Sequence, residues 1–333
     1  MRRPRISLIS LGGTIAMTGE GAQGVVPTLT TEAILASVPG VSEIADVETV
    51  SFRRVPGAHL VEDDVVEVAS LIGSRIHGRA DGVVIVQGTD TLEESAFLLD
   101  TILGVEVPVV FTGALRNPDM VGADGPANLL AALVTAASPS VRELGALVVM
   151  NDQIHSARFV RKVHASSPSA FASPLIGPIG WVSEGNVRIV ARPVRTRSRP
   201  IPKGSRTHPV ALLKATLGDD GRLVRAVRDL AFEGLVMEGF GGGHVPTGVA
   251  DALEVAASMM PVVLASRTGS GEVLQRTYGF TGSEMDLLRM GLIPAGDLDG
   301  PKARLLLSVL LRIGATRRDI VQAFEERSAA SLI

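Results

Sequence analysis

Short runs of β-branched residues alternate with helical repeats along this chain, and the alternation restricts the fold more than any other feature. Val83–Val86 reads as a buried strand, and Leu92, Ala96, Leu99 and Leu103 recur behind it at helical spacing. Repeated units of this kind are typical of βαβ structure. We therefore predict the α/β class, with a doubly wound, largely parallel sheet in a large N-terminal domain and a smaller C-terminal α/β domain.

The predicted elements follow this alternation on both sides of a polar stretch. Before it, we predict strands at Arg5–Leu11, Val47–Phe52, Val83–Val86, Val107–Phe111 and Ala146–Met150, and helices at Glu62–Ile76 and Ala127–Ala137. After it, we predict strands at Val210–Leu213, Leu235–Glu238 and Val262–Ser266, and helices at Val249–Ser258, Lys302–Leu311 and Arg317–Glu326.

The polar stretch is Arg192–His208, which is crowded with Arg, Lys, Pro and Ser. A basic binding patch is one interpretation, but the prolines and the position between two alternating regions favour an exposed linker. We therefore expect an N-terminal domain over residues 1–191, a linker over 192–208 and a C-terminal domain over 209–333.

Composition excludes several classes of function. The 333 residues are 46% hydrophobic, which is enough for a large core, and they include no cysteine, so disulfides, thiolate nucleophiles and cysteine-based zinc sites are excluded. A net charge of −3 and 3% aromatic residues argue against nucleic acid and against an anionic membrane as partners. The basic start, MRRPRISLIS, lacks an apolar core of signal length, and no segment approaches the roughly 20 apolar residues of a membrane span. We expect a cytoplasmic protein.

Two threonines follow predicted strands among glycines, Thr14 after Gly12-Gly13 and Thr89 after Gly88. Loops at the carboxyl ends of strands in open α/β sheets are where ligands bind, and helix N–H groups there favour negative charge. For any single threonine, a cap or a turn is the commoner role, and a nucleophile needs a base to take its proton. Thr91 and Glu94 have the spacing of a capping box for the following helix. Met17–Thr28 lacks periodicity, and we interpret it as a mobile loop that is either a disordered connector or a lid.

Lys162 is a candidate base, because it follows the strand that ends at Met150 and should lie on the same rim as Thr89. A desolvated lysine can accept a proton, although a lysine in a polar loop is more often a solvated surface residue. Asp124 is more simply a helix cap, and Asp152 also follows a strand. The six histidines show no metal spacing, so we predict no metal site.

The glycines of Gly239–His244 raise the question of a dinucleotide loop. His244 stands where the third glycine of that fingerprint belongs, and Pro246 follows closely. A Rossmann oxidoreductase is therefore disfavoured, and we predict a tight backbone turn.

Several stretches together resemble the bacterial L-asparaginase/glutaminase family. They are LGGTIAM (Leu11–Met17), VQGTDTLEES (Val86–Ser95), FTGALR (Phe111–Arg116), ADGPANL (Ala123–Leu129), MNDQIHSARFVRK (Met150–Lys162) and PKARLLL (Pro301–Leu307). GGTIA together with GTDT is a specific signature, and the resemblance covers essentially the whole chain in order.

The resemblance implies a homo-oligomer built as a dimer of dimers, and amide hydrolysis of a small amino-acid amide without metal or cofactor. It implies that Thr14 attacks the side-chain amide, that ammonia leaves, and that water then releases aspartate from the acyl-enzyme. Thr89, Lys162 and Asp90 match the second polar triad, and Asp90 also holds the substrate ammonium. The positions matched to substrate contacts are Ala58, His59, Gly88, Ala114, His244 and Glu272, the last of them contributed across the dimer.

Three positions depart from the family pattern. The tyrosine of the family's lid, which helps to activate the first threonine, is matched by Val25, and the chain's one tyrosine is Tyr278. Either another group or water then takes the proton from Thr14, or Thr89 and Lys162 carry more of the activation. The serine that binds the substrate carboxylate appears as Ala58, beside His59, and the loss of one hydrogen bond to a charged group costs about 1.5–3 kcal/mol. An asparagine of the neighbouring domain appears as His244.

These residues favour an asparaginase-type amidohydrolase acting on L-asparagine, with slower action on L-glutamine as a further expectation. Val25 and Ala58 leave a different small amide open as the substrate. A non-catalytic amino-acid-binding protein on the same scaffold is the second alternative, but a binder has no need of Thr14, Thr89, Asp90 and Lys162 together.

Overall fold

A computed structural model of the chain describes residues 2–19 and 24–329. The chain divides into two units, Met1–Arg195 and Thr196–Ile333. The strands of the first unit are β1 (Arg5–Gly12), β2 (Met17–Thr18), β3 (Val26–Pro27), β4 (Asp46–Val55), β5 (Gly82–Val86), β6 (Val109–Thr112), β7 (Ala146–Met150), β8 (Gln153–Ser156), β9 (Arg161–Lys162), β10 (Phe171–Ala172), β11 (Gly180–Ser183) and β12 (Asn186–Ile189). Its helices are α1 (Thr31–Ala36), α2 (Val41–Ile44), α3 (Glu62–His77), α4 (Leu92–Ile102) and α5 (Gly125–Ala137).

The described residues of the first unit form an eight-stranded sheet in the order β12-β11-β8-β7-β6-β5-β1-β4. The five neighbouring strands β7, β6, β5, β1 and β4 are mutually parallel. Beyond β7 the sheet continues through β8, β11 and β12, each antiparallel to the strand before it. The predicted largely parallel sheet is confirmed, and the antiparallel extension was not predicted. β1 lies between β5 and β4. The chain therefore runs from β1 to β4 on one side of it and then crosses to β5 on the other side. Ligands bind at such a switch point in open α/β sheets.

The sheet is buried on both faces. Leu8, Val84 and Val110 belong to the core cluster that also contains residues of α1 and α5. Ile9 and Ile85, which point to the opposite face because side chains alternate along a strand, are equally buried. Burial on both faces explains why these strands read as continuous apolar runs rather than as alternating ones.

The segment Met17–Thr28, predicted as a mobile loop, begins and ends with paired backbone. β2 and β3 form an antiparallel pair in which Met17 faces Pro27 and Thr18 faces Val26. Thr18 Oγ1 and Thr28 Oγ1 are also 2.6 Å apart. The stem is thus an ordered ribbon, while residues 20–23 of the predicted lid lie outside the described residues.

The second unit repeats the alternation on a smaller scale. Its strands are β13 (Val210–Lys214), β14 (Gly234–Gly239), β15 (Val262–Ser266) and β16 (Ile293–Pro294), and its helices are α6 (Arg222–Asp229), α7 (Thr247–Met259), α8 (Glu284–Arg289), α9 (Gly300–Arg312) and α10 (Arg317–Ala329). In the described part of this unit the strands form a four-stranded parallel sheet in sequence order. None of the helices within residues 2–19 and 24–329 has the length and apolar character needed to cross a bilayer.

Cations of the basic stretch Arg192–His208 pair with acidic residues of the second unit. Arg199 lies 2.6 Å from Glu326, and Arg206 and His208 both bond to Glu233. The hydrogen bonds from Arg206, helped by His208 and opposed by burial, hold the pKa of Glu233 at about 2. These pairings compensate positive charge locally, which weakens the alternative that the stretch is a basic binding patch.

His155, in β8, gives the first unit a specific sensitivity to acid. Its ring is fully buried, Nδ1 lies 3.0 Å from Ser173 Oγ, and Nε2 has no hydrogen-bond partner. Burial lowers the pKa of His155 from 6.5 to about 4. Between these values the unfolded chain binds a proton that the folded chain does not, so stability falls as the pH falls.

We therefore expect the free energy of unfolding of the first unit to drop by about 2 kcal/mol between pH 7.5 and pH 5 because of this one group. Trp181, the chain's single tryptophan, lies in β11, and its fluorescence reports unfolding of this unit in urea. His155→Gln should remove this part of the pH dependence, whereas His77→Gln, at an exposed position, should retain it. Equal pH slopes for His155→Gln and the unmutated protein would contradict the assignment.

Candidate active site

The loops after β1 and β5 touch through their glycines. Gly13 has φ 90° and ψ −178°, a conformation that is essentially restricted to glycine. A Cβ added at Gly13 would lie 2.2 Å from the backbone nitrogen of Gly88, so the two loops are in direct backbone contact. Thr14 begins a 3-10 turn, Thr14–Ala16, immediately after Gly13, and Thr89 follows Gly88. The structure thus brings the two predicted threonine loops together at the carboxyl ends of neighbouring strands.

The turn after β5 is also packed against the loop after β4. A Cβ on Gly88 would lie 2.6 Å from the nitrogen of Gly57. Thr91 Oγ1 donates to the carbonyl oxygen of Gly57 at 2.8 Å. The predicted capping box of Thr91 and Glu94 is therefore wrong, because Thr91 stands at the N-cap of α4 without a side-chain cap bond and uses its hydroxyl to tie two loops together.

A lysine, a threonine and an aspartate meet in this turn. Lys162 Nζ donates to Thr89 Oγ1 at 2.9 Å and to Asp90 Oδ1 at 2.8 Å. Thr89 is 5% exposed and the Lys162 side chain 15% exposed, whereas the Asp90 side chain is 64% exposed. The hydroxyl and the ammonium are thus largely shielded from water, and the carboxylate faces outward. Such a set can move a proton at the hydroxyl while the carboxylate binds a cationic group.

Lys162 reaches the predicted rim from an element that the sequence reading did not contain. It lies in β9, which pairs with β10 rather than with the eight-stranded sheet. Its backbone N–H donates to the carboxylate of Glu93, in the first turn of α4. β9 and β10 have two residues each, too few to show strand periodicity, so no local signal indicated this arrangement.

The loop after β6, which contains Ala114, is shaped by two side chains. Asp124 accepts hydrogen bonds from the backbone N–H groups of Leu115 (3.0 Å) and Arg116 (2.8 Å). Asp124 occupies the predicted N-cap position of α5, but its side chain makes no cap hydrogen bond. Its carboxylate binds the backbone N–H groups of the loop instead.

Asn128 connects this loop to the next strand. Its amide nitrogen donates to the Gly113 carbonyl at 3.0 Å, and its amide oxygen accepts from the N–H of Asn151 at 2.9 Å. The residue is 3% exposed and joins the ends of β6 and β7. Sequence reasoning missed it. A polar residue on the apolar face of a predicted helix was the one signal available.

The remaining predicted contacts of the first unit lie in the loop after β4. Ala58 and His59 occupy a 3-10 turn, Gly57–His59, and both are exposed. Gly57 anchors this turn against Gly88. The turn therefore lies beside the threonine loops, with a methyl group at position 58 where a hydroxyl is expected from the family pattern.

His244 and Glu272 lie in the second unit. The predicted tight turn is confirmed, since the N–H groups of Gly243 and His244 both donate to the Phe240 carbonyl. His244 Nε2 lies 3.1 Å from the fully buried Glu284 carboxylate, and its ring meets Tyr278 edge-on at 4.8 Å.

The environment of Glu284 keeps it ionised. Burial raises the pKa of Glu284. Hydrogen bonds to its carboxylate outweigh burial and leave the pKa below the ordinary value; they come from the N–H groups of Tyr278 and Thr277, from its own backbone N–H and from His244.

Glu272, the other predicted contact of the second unit, is exposed.

No group of three or more metal-ligating side chains occurs in residues 2–19 and 24–329. Two threonines, a lysine and a carboxylate lie at one edge of the sheet in the first unit. Groups of these types can carry out acyl transfer by a hydroxyl nucleophile.

Two families of known proteins match the chain. The family described as "Asparaginase, N-terminal" matches residues 5–195, and the "Glutaminase/Asparaginase C-terminal domain" matches residues 209–324. The chain belongs to the asparaginase family of amidohydrolases. The resemblance recognised in the sequence is thereby confirmed over nearly the whole length.

Individual members of the asparaginase family are similar along their full length. A "Probable L-asparaginase" of Deinococcus radiodurans is 38% identical over 329 residues, covering 97% of this chain and 98% of that protein. An "L-asparaginase" of Bacillus licheniformis is 34% identical over 313 residues, covering 92% and 95%. The crystal structure of a "Probable Cytoplasmic L-asparaginase" from Campylobacter jejuni superposes with a TM-score of 0.87 at 28% identity, covering 97% of this chain and 99% of that one.

Proposed function

We propose that this asparaginase-family protein hydrolyses L-asparagine to L-aspartate and ammonia, with weaker action on L-glutamine. The observation that carries the proposal is the position of Lys162 Nζ, 2.9 Å from the buried Thr89 hydroxyl and 2.8 Å from Asp90. An amine in this position can accept or return the proton of an attacking group, which contributes about 10²–10⁴-fold to rates in general acid–base catalysis.

In the proposed reaction, the hydroxyl of Thr14 attacks the side-chain amide carbon of the substrate. The proton that Thr14 gives up passes to the amide nitrogen, the C–N bond breaks with loss of ammonia, and the acyl-enzyme is left as an ester of Thr14. Thr89, with Lys162, delivers and orients the water that hydrolyses the ester. We assign the stabilisation of the oxygen that becomes negatively charged to backbone N–H groups of the loops at Gly88 and Ala114, and such stabilisation is the largest single term in many acyl transfers.

We assign substrate contacts as follows. Asp90, the exposed carboxylate of the triad, binds the α-ammonium group of the amino acid. Ala58 and His59 border the α-carboxylate, and because Ala58 has no hydroxyl, backbone N–H groups or His59 must bind that group. We propose that Glu272 reaches the substrate amine from across a dimer, in a homo-oligomer built as a dimer of dimers, and that His244 takes the place of the family's asparagine. We further propose a cytoplasmic location, like that in the name of the Campylobacter jejuni relative, and domains over residues 1–191 and 209–333 joined by 192–208.

The test is ammonia release from L-asparagine by the purified protein, followed in a coupled assay beside Thr14→Ala and Thr89→Val. Turnover that both substitutions abolish supports the proposal. Tight binding of asparagine without any turnover in the unmutated protein would support the amino-acid-binding alternative instead. Because Ala58 removes a carboxylate contact, turnover of another small amide in preference to asparagine is the second candidate, and the same assay on a panel of amides decides it.

Recognition of the substrate ammonium gives a separate prediction. Asp90 is a carboxylate with an exposed side chain beside Lys162, and a hydrogen bond to a charged group contributes about 1.5–3 kcal/mol. N-acetyl-L-asparagine, which has no ammonium group, should therefore show a kcat/KM at least about tenfold below that of L-asparagine. Equal values for the two substrates would contradict the role of Asp90.

A further inference from the structure

The lysine of the candidate site is carried by a strand outside the main sheet. Lys162 lies in β9, and in the described residues β9 pairs with β10 alone, whereas Thr89 follows β5 of the eight-stranded sheet. A lysine ends in a compact charge on a flexible four-carbon stem, so the position of its ammonium depends on how firmly its backbone is held. The hydrogen bonds of the main sheet do not fix the backbone of Lys162, because β9 is not part of that sheet.

The backbone N–H of Lys162 faces away from its strand partner. Across β9 and β10, the N–H of Val163 donates to the Ala170 carbonyl at 2.7 Å. N–H groups of successive residues in an antiparallel strand point to opposite sides. The N–H of Lys162 therefore points outward, and it donates to Oε2 of Glu93.

Glu93 belongs to the segment that also contains the partners of the Lys162 side chain. It lies in the first turn of α4, three residues after Asp90. Residues 89–93 thus contact Lys162 twice, through its ammonium at Thr89 and Asp90 and through its backbone at Glu93. A carboxylate accepting from an N–H group makes a stronger bond than a neutral acceptor does.

We propose that Glu93 is a positioning residue for Lys162, which it holds at the distance from Thr89 that proton transfer requires. The proposal rests on the proposed function, because it concerns the reaction of that site. In this role Glu93 acts on the backbone of Lys162 rather than on the substrate. Its loss should therefore lower kcat and leave KM nearly unchanged.

The experiment compares Glu93→Ala with Glu93→Gln, whose amide oxygen can still accept the Lys162 N–H. A displacement of about 1 Å in a catalytic group can cost about 10²-fold in rate, so we expect kcat of Glu93→Ala to fall by about that factor. Glu93→Gln should stay within about fivefold of the unmutated enzyme, and KM should change little in both. A residue that only stabilises the fold would lower the unfolding midpoint and leave kcat of the folded fraction intact.

A double substitution tests whether Glu93 acts through Lys162. In a Lys162→Met background, Glu93→Ala should have no further effect on kcat, because the group that it positions is absent. An equal loss in both backgrounds would overturn the proposal, and so would a Glu93→Ala enzyme with unchanged kcat. If Glu93→Ala does not fold, Glu93→Asp replaces it in the test. That variant keeps the charge but is one methylene shorter, so an unchanged kcat would also overturn the proposal.

Amide hydrogen exchange separates this inference from the proposed function. The Lys162 amide should exchange faster in Glu93→Ala than in Glu93→Gln, whether or not the protein turns over asparagine. An unmutated protein that releases no ammonia refutes the proposed function alone. Equal protection of the Lys162 amide in the two variants refutes the positioning contact alone.

Discussion

Lys162→Met is expected to lower kcat for L-asparagine by about 10³-fold, within the range that general acid–base catalysis contributes. The substitution removes the amine that lies 2.9 Å from Thr89 Oγ1 and leaves a side chain of similar length in the same largely buried position. The Thr89 hydroxyl then loses the amine with which it exchanges a proton. KM should stay within about threefold, because Asp90 remains available for the substrate ammonium.

The measurement is steady-state ammonia release at pH 7.5 over a range of asparagine concentrations. Thr89→Val, which keeps the shape of the side chain and removes its hydroxyl, is the matched variant. Because Thr89 and Lys162 act as one unit, the double variant should be no slower than the slower single variant. A Lys162→Met enzyme within tenfold of the unmutated kcat would show that the proton goes elsewhere.

Much of the fold could be predicted because its information is local. β7 and β15 have the predicted bounds, Ala146–Met150 and Val262–Ser266. Strands buried on both faces read as apolar runs, and amphipathic helices read as a 3.6-residue repeat. By contrast, β9 and β10 have only two residues each, too few to show a repeat. Their pairing depends on tertiary contacts, which no local sequence pattern indicates.

The candidate site divides in the same way. Thr14, Thr89 and Lys162 stand out from the sequence as polar residues that follow strands, and the family resemblance adds their roles and that of Asp90. Their convergence depends on the order of β1 and β5 in the sheet, which periodicity does not determine.

The side chains that shape these loops are the part that sequence reasoning could not supply. Asp124 and Thr91 have ordinary helix-start signatures, yet each bonds instead to a neighbouring loop, the loop after β6 for Asp124 and Gly57 for Thr91. A cap and a loop contact compete for the same oxygen, and tertiary structure decides between them.

Gly13→Ala is expected to destabilise the first unit by about 4 kcal/mol and to abolish activity, since two costs add at this position. The backbone at φ 90° and ψ −178° is strained for any residue with a Cβ. The added methyl group would also lie 2.2 Å from the Gly88 nitrogen, a backbone atom that cannot yield without moving the Thr89 turn. Relief of the clash therefore separates the loops of Thr14 and Thr89.

Gly40→Ala is the matched control for the backbone term. Gly40 also has positive φ, 75°, but a Cβ there would meet nothing within 4 Å. We expect it to cost about 1 kcal/mol, the penalty of a left-handed residue in open space, with kcat unchanged. Urea unfolding followed by Trp181 fluorescence measures both variants, and ammonia release measures the activity of the folded fraction. If Gly13→Ala matched Gly40→Ala in stability and kept its kcat, the close contact between the two loops would have no part in either folding or catalysis.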